Sequence, residues 1–267
     1  MRIRRILFLL SSAACAAASF AFPAHAGAFL EPAGQGEIIT SASFSDSTRF
    51  FDNNGKLIPI PEYQRFDLGS YIEYGASDRV TLVLQPNADI AHQDIFQPVQ
   101  PFAATMDFGA RFGLANFGST VISVQALAHL PLTSTSTASA LFDQDRAPGF
   151  DARLMLGQGF QLGAMPGFLD MAVSHTWLGD GLPDEWHAEA TVGLRPIPKL
   201  MLLFASYSTL SPESVAITPS WYWLKLQPGV VYDLTPQWSI EGGFFATVIG
   251  QNAGRELGPT AAVWYRF

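Results

Sequence analysis

The chain has 267 residues, 48% of them hydrophobic and 13% aromatic, yet only 14% charged, against about 25% in an ordinary soluble domain. Acidic side chains outnumber basic ones 23 to 15, a net charge of −8, which argues against nucleic acid as a partner because the phosphate backbone calls for a basic surface. Beyond residue 26 no apolar run approaches the ~20 residues of a transmembrane helix, so strands must carry the apolar excess.

The chain opens with a basic region at Arg2, Arg4 and Arg5, followed by the apolar stretch "ILFLLSSAACAAASFAF". Pro23 breaks it, and Ala24 and Ala26 then offer the small residues that a signal peptidase reads. The pattern predicts a signal peptide over 1–26, cleaved between Ala26 and Gly27, and one mature domain over 27–267. Two readings compete with it. An uncleaved anchor helix would need a longer apolar stretch, and lipidation at Cys15 would need a large aliphatic residue where Ser12 stands. Cys15 is the single cysteine, so the mature chain has no disulfide and no thiolate ligand. Removing 1–26 takes away three basic residues and no acid, giving −8 − 3 = −11.

From there, period-two alternation recurs in about twelve segments of roughly ten residues. They fall near 35–45, 64–75, 79–90, 105–116, 119–130, 149–161, 167–178, 184–195, 199–210, 221–233, 237–248 and 257–267. Their connections alternate between tight turns ("GASD", "NFGS", "PIP", "DLTPQ") and longer stretches at 46–63, 91–104, 131–148 and 211–220, with "GDGLP" at 179–183 the shortest of the long set. Outer-membrane barrels show this asymmetry between periplasmic turns and outer loops. The fold class expected is therefore all-β: a closed antiparallel transmembrane β-barrel of about twelve strands, with both termini periplasmic. A soluble β-sandwich is the competing fold, but it would put Lys and Glu on its outer face.

Here one strand face carries long aliphatics and aromatics and the other carries nearly all the charge. A lipid-facing charge at mid-bilayer costs about 2–4 kcal/mol, so the charged face should be the lumen. That assigns Asp67, Glu73, Asp107, Arg111, Asp151, Arg153, Glu185, His187, Glu189, Arg195, Lys225 and Glu241 to the lumen lining. Seven glycines, Gly113 and Gly157 among them, share that side, as sharply bent strands would require. Glu185, His187 and Glu189 carry metal-ligand chemistry, but residues two apart on a strand stand ~6–7 Å apart, so a solvated or Arg-paired face is expected there and no metal. Ser174 and His175 are adjacent and point to opposite faces, and no nucleophile motif surrounds any serine. No catalytic residue and no cofactor are therefore assigned.

The final "VWYRF" resembles the C-terminal signal that Gram-negative outer-membrane barrels present to their assembly machinery, with Phe267 last and Tyr265 two residues before it. The stretches "GAFLEPAGQGEIITSASFSDSTRFFDNNG" and "IEYGASDRVTL" resemble the exported transporters associated with the phenol meta-cleavage pathway, also labelled XagA-like. The resemblance implies an outer-membrane protein in contact with lipid and lipopolysaccharide, passing a small solute, with hydrophobic or aromatic compounds in its range. Two alternatives stay open: a non-conducting structural or surface-adhesion barrel, and an outer-membrane hydrolase.

Overall fold

The computed structural model describes residues 27–93, 102–133, 147–213 and 219–267. The expected signal peptide and much of the connections at 91–104, 131–148 and 211–220 lie outside them. The strands are β1 (Gly36–Phe51), β2 (Leu57–Ser77), β3 (Val80–Gln93), β4 (Phe102–Phe117), β5 (Thr120–Pro131), β6 (Gly149–Leu162), β7 (Met165–Leu178), β8 (Glu185–Ile197), β9 (Leu200–Ser211), β10 (Trp221–Asp233), β11 (Trp238–Gln251), the two-residue β12 (Ala253–Gly254) and β13 (Leu257–Arg266).

Each long strand pairs antiparallel with the next, from β1 through β11, and β11 pairs with β13. β13 returns to β1 along a register from Glu37↔Arg266 to Asp46↔Leu257. The ring of twelve long strands is thus closed and has no free edge, the condition for putting a sheet in lipid. Phe66, Leu68, Phe108, Phe112, Leu114, Ile240, Phe244, Val248 and Val263 stand exposed on its outside. At roughly 25 cal/mol per Å², so wide an apolar band would be costly in water; hydrocarbon removes that cost.

Five tight turns lie at one end, between β2 and β3, β4 and β5, β6 and β7, β8 and β9, and β10 and β11. Gly118 (φ 74°) and Gly163 (φ 63°) supply the left-handed backbone in two of them. The chain terminus meets the same end: Gly36 and Phe267 exchange backbone hydrogen bonds of 2.9 and 3.0 Å.

At the other end the structure corrects one expectation. Residues 46–63 form no long loop: β1 and β2 continue as a ladder and turn only at 52–56. Asp52 closes that turn by accepting from the amides of Asn54 (2.8 Å) and Lys56 (2.9 Å), and Gly55 takes φ 72°. Pro59 and Pro61 mask this ladder in the sequence because proline cannot donate to it. The extension also makes Phe66 a mid-strand residue rather than a strand-end one.

Residues 27–35 join no strand. They run from β1 into the lumen and reach β7, which lies opposite β1 in a ring of twelve. Nine extended residues can span about 30 Å, enough to cross. The backbone is held at both ends and between them. The Ala28 amide donates to Asp170 (2.5 Å), the Ala28 carbonyl accepts from Ser123 (2.8 Å), and the Phe29 carbonyl accepts from Arg111 (2.7 Å). The Glu31 amide donates to the Thr81 hydroxyl (2.9 Å), and the Gly34 amide to the Gly75 carbonyl (2.8 Å).

Candidate functional site

The lumen has two levels. The lower one, near the tight turns, is filled by the 27–35 plug. A Cβ on Gly157 would lie 2.8 Å from the Phe29 ring and one on Gly113 would lie 2.5 Å from Leu30 Cδ1. Strand bending is therefore not the whole reason for these lumen-side glycines: they leave room for the plug's side chains. Phe29 packs against a buried cluster of Phe168, Met201, Val231, Ala262 and Trp264. Beside it, Arg111 is fully buried and ion-paired with Glu73, and it also donates to Tyr71 (2.5 Å) and Gln125 (3.0 Å).

Burial carries Glu31 far from an ordinary carboxylate. Desolvation, reinforced by the charge of Glu73 and opposed by Arg111 and Arg266, pushes its pKa up to about 7.

Above the plug lie two adjoining cavities of about 420 and 320 Å³, which share Ser41, Ser43, Arg65 and Asp67. The larger has an apolar wall of Phe168, Leu203, Ala205, Phe245 and Trp264, and Tyr207, Gln227, Lys225 and Glu241 also line it. Lys225 pairs with Glu256 (3.0 Å) and stands over the rings of Trp223 and Phe245 (5.2 and 4.8 Å). Glu241 accepts from Trp264 Nε1 (3.0 Å).

The smaller cavity is polar. Asp107 bonds His129 (2.5 Å), Asp67 pairs with Arg65 (2.6 Å), and Arg153 joins Asp151 (3.4 Å) to Glu189 (2.9 Å). His187 bonds Thr209 and Thr176 (3.0 and 3.1 Å) and stands 3.5 Å from Glu185. Glu185, His187 and Glu189 thus turn to different partners rather than to one point. Arg195 sits apart from both cavities, near the Pro198–Lys199 turn, held by Asp233 (2.6 Å).

Ser174 is buried and faces the lumen, while His175 packs between Trp177 and Trp186, 4.5 Å from each ring, so they form no dyad. Tyr265 and Phe267 lie on the outer face, in a stack that runs from Trp238 through Tyr265 (4.5 Å) to Phe267 (5.9 Å). Arg266 turns inward to Glu37 (2.7 Å).

Sequence reasoning missed the apolar wall and the plug. Phe168, Leu203, Phe245 and Trp264 share the charged face's period, but assigning charge to the lumen hid them. Residues 27–35 ("GAFLEPAGQ") carry no period at all.

No family model and no curated protein match the chain. Among solved structures, an outer membrane channel from Pseudomonas putida F1 aligns over 90% of this chain and 98% of its own, at 12% identity and a TM-score of 0.70. The translocator domain of the autotransporter NalP from Neisseria meningitidis aligns over 89% and 90% at 13% identity, with a TM-score of 0.46. The first likeness is in fold, and that fold is the closed β-barrel of outer-membrane proteins.

Proposed function

We propose that the protein is an outer-membrane channel for small solutes that loses residues 1–26 on export and is plugged from its periplasmic end by residues 27–35. The observation that carries this reading is the unfilled upper lumen. Small barrels without a ligand fill their interior with side chains; this one keeps cavities of about 420 and 320 Å³ directly above the plug. The apolar wall beside Tyr207 and Gln227 suits a small molecule with an aromatic or aliphatic body and one polar group. That agrees with the resemblance to transporters associated with phenol breakdown. The filled lower lumen is the observation that favours the alternative, a non-conducting structural barrel.

Liposome swelling separates the two. The intact protein should admit small uncharged aromatic solutes slowly, and a variant lacking residues 28–34 should admit them several-fold faster. Leu203→Asp, which charges the apolar wall, should slow the aromatic solutes more than sugars of equal size. Failure of both the intact and the shortened protein to cause swelling would favour the structural barrel.

A further inference from the structure

We infer that cleavage at Ala26–Gly27 completes the plug, because the α-ammonium it leaves on Gly27 pairs with the buried carboxylate of Asp170. This rests on the reading of residues 1–26 as a cleaved signal and goes beyond it in giving the new terminus a structural task.

Asp170 is 6% exposed and projects from the wall opposite β1. Its hydrogen-bond partner is the Ala28 amide (2.5 Å), and among the described residues no Lys, Arg or His forms an ion pair with it. Arg111, the nearby guanidinium, is committed to Glu73. Across the lower lumen Glu73 is paired with Arg111 and Glu37 with Arg266 (2.7 Å), and the seated plug favours Glu31 as the neutral acid, so among the described residues there Asp170 is left without a cation. A buried carboxylate with no cation is costly, so the site lacks positive charge.

Gly27 is where that charge would arise. Its backbone lies against the carboxylate: a Cβ built on it would be 2.1 Å from Asp170 Cγ. Residues with side chains are thereby excluded, and the Gly27 nitrogen is one bond from the contacting Cα. In the uncleaved chain that nitrogen is a neutral amide. Peptidase hydrolysis adds water across the Ala26–Gly27 C–N bond; the carboxylate stays with Ala26, and the amine on Gly27 takes up a proton. Three donors and a full charge then replace one N–H beside Asp170. Processing thus adds a charged anchor at the far end of a plug that its backbone hydrogen bonds already seat.

The test uses protein extracted from outer membranes in detergent. Mass spectrometry of the N-terminal peptide should find Gly27 first; a different terminus would overturn the processing reading itself. An amine-reactive sulfo-N-hydroxysuccinimide ester is then applied, with the exposed Lys56 and Lys199 as internal references. The Gly27 amine should react about ten-fold or more slowly in the native protein than in Asp170→Asn, since a paired, desolvated ammonium must first be released. A variant with two glycines inserted between Ala26 and Gly27 keeps Asp170 but displaces the amine, and should also react fast. Heat-modifiable migration on detergent gels checks that each barrel is folded. If the terminus is Gly27 but its amine reacts as fast in the native protein as in either variant, the pairing is wrong and the processing reading stands.

Discussion

At the scale of single residues, Arg111 ties the plug to the wall, reaching Phe29 on one side and Glu73, Tyr71 and Gln125 on the other. Arg111→Met should cost about 3–5 kcal/mol, because Glu73 is left buried without its cation. Arg111→Met with Glu73→Gln should recover much of that loss. The midpoint of heat-modifiable migration measures both, and equal losses in the single and double variants would refute the coupling. Glu31 adds a pH dependence. Its pKa is raised to about 7 when the plug is seated, so the seated form prefers the neutral acid. That preference is fully present below the ordinary value of 4.5 and is lost as pH rises through 7. Open events in planar bilayers should be more frequent at pH 8 than at pH 5, and Glu31→Gln should flatten the difference. The alternation put Arg111 and Glu73 on the lumen face but said nothing of their partnership, since β2 and β4 are not neighbours in the ring.

At the scale of elements, the closing seam between β1 and β13 depends on the last residue. Phe267 exchanges two backbone hydrogen bonds with Gly36 and stacks on Tyr265. Deleting it removes both bonds and the stack, so the yield of assembled barrel should fall several-fold, read as the heat-modifiable fraction. Phe267→Ala keeps the backbone bonds. If the terminal aromatic is also read by the assembly machinery, Phe267→Ala should lower assembly in cells while leaving refolding in detergent near normal; equal defects in both would make Phe267 a packing residue only. Strands such as β9 and β10 were legible to within a residue or two because one face meets hydrocarbon and each second position had to be apolar. The β1–β2 ladder was not, because beyond the bilayer nothing forces that alternation, and Pro59, Pro61 and the polar run around Asp52 read as loop.

At the scale of the whole molecule, barrel closure and strand number followed from alternation and turn spacing, whereas the state of the lumen did not. Whether a barrel is empty or plugged depends on a short aperiodic segment meeting glycines on distant strands, as Phe29 meets Gly157. Among the charges that line the two cavities, seven carboxylates (Asp67, Asp89, Asp107, Asp151, Glu185, Glu241, Glu256) face three Arg and Lys (Arg65, Arg153, Lys225). An open path should therefore prefer cations, and Asp107→Asn with Glu241→Gln should reduce that preference in reversal-potential measurements. The most direct test of a solute path closed by its own N-terminal segment is single-channel conductance in planar bilayers, comparing the intact protein with a variant lacking residues 28–34. The plugged barrel predicts small or rare steps for the intact protein and several-fold larger, cation-preferring steps for the variant; the same conductance from both would contradict it.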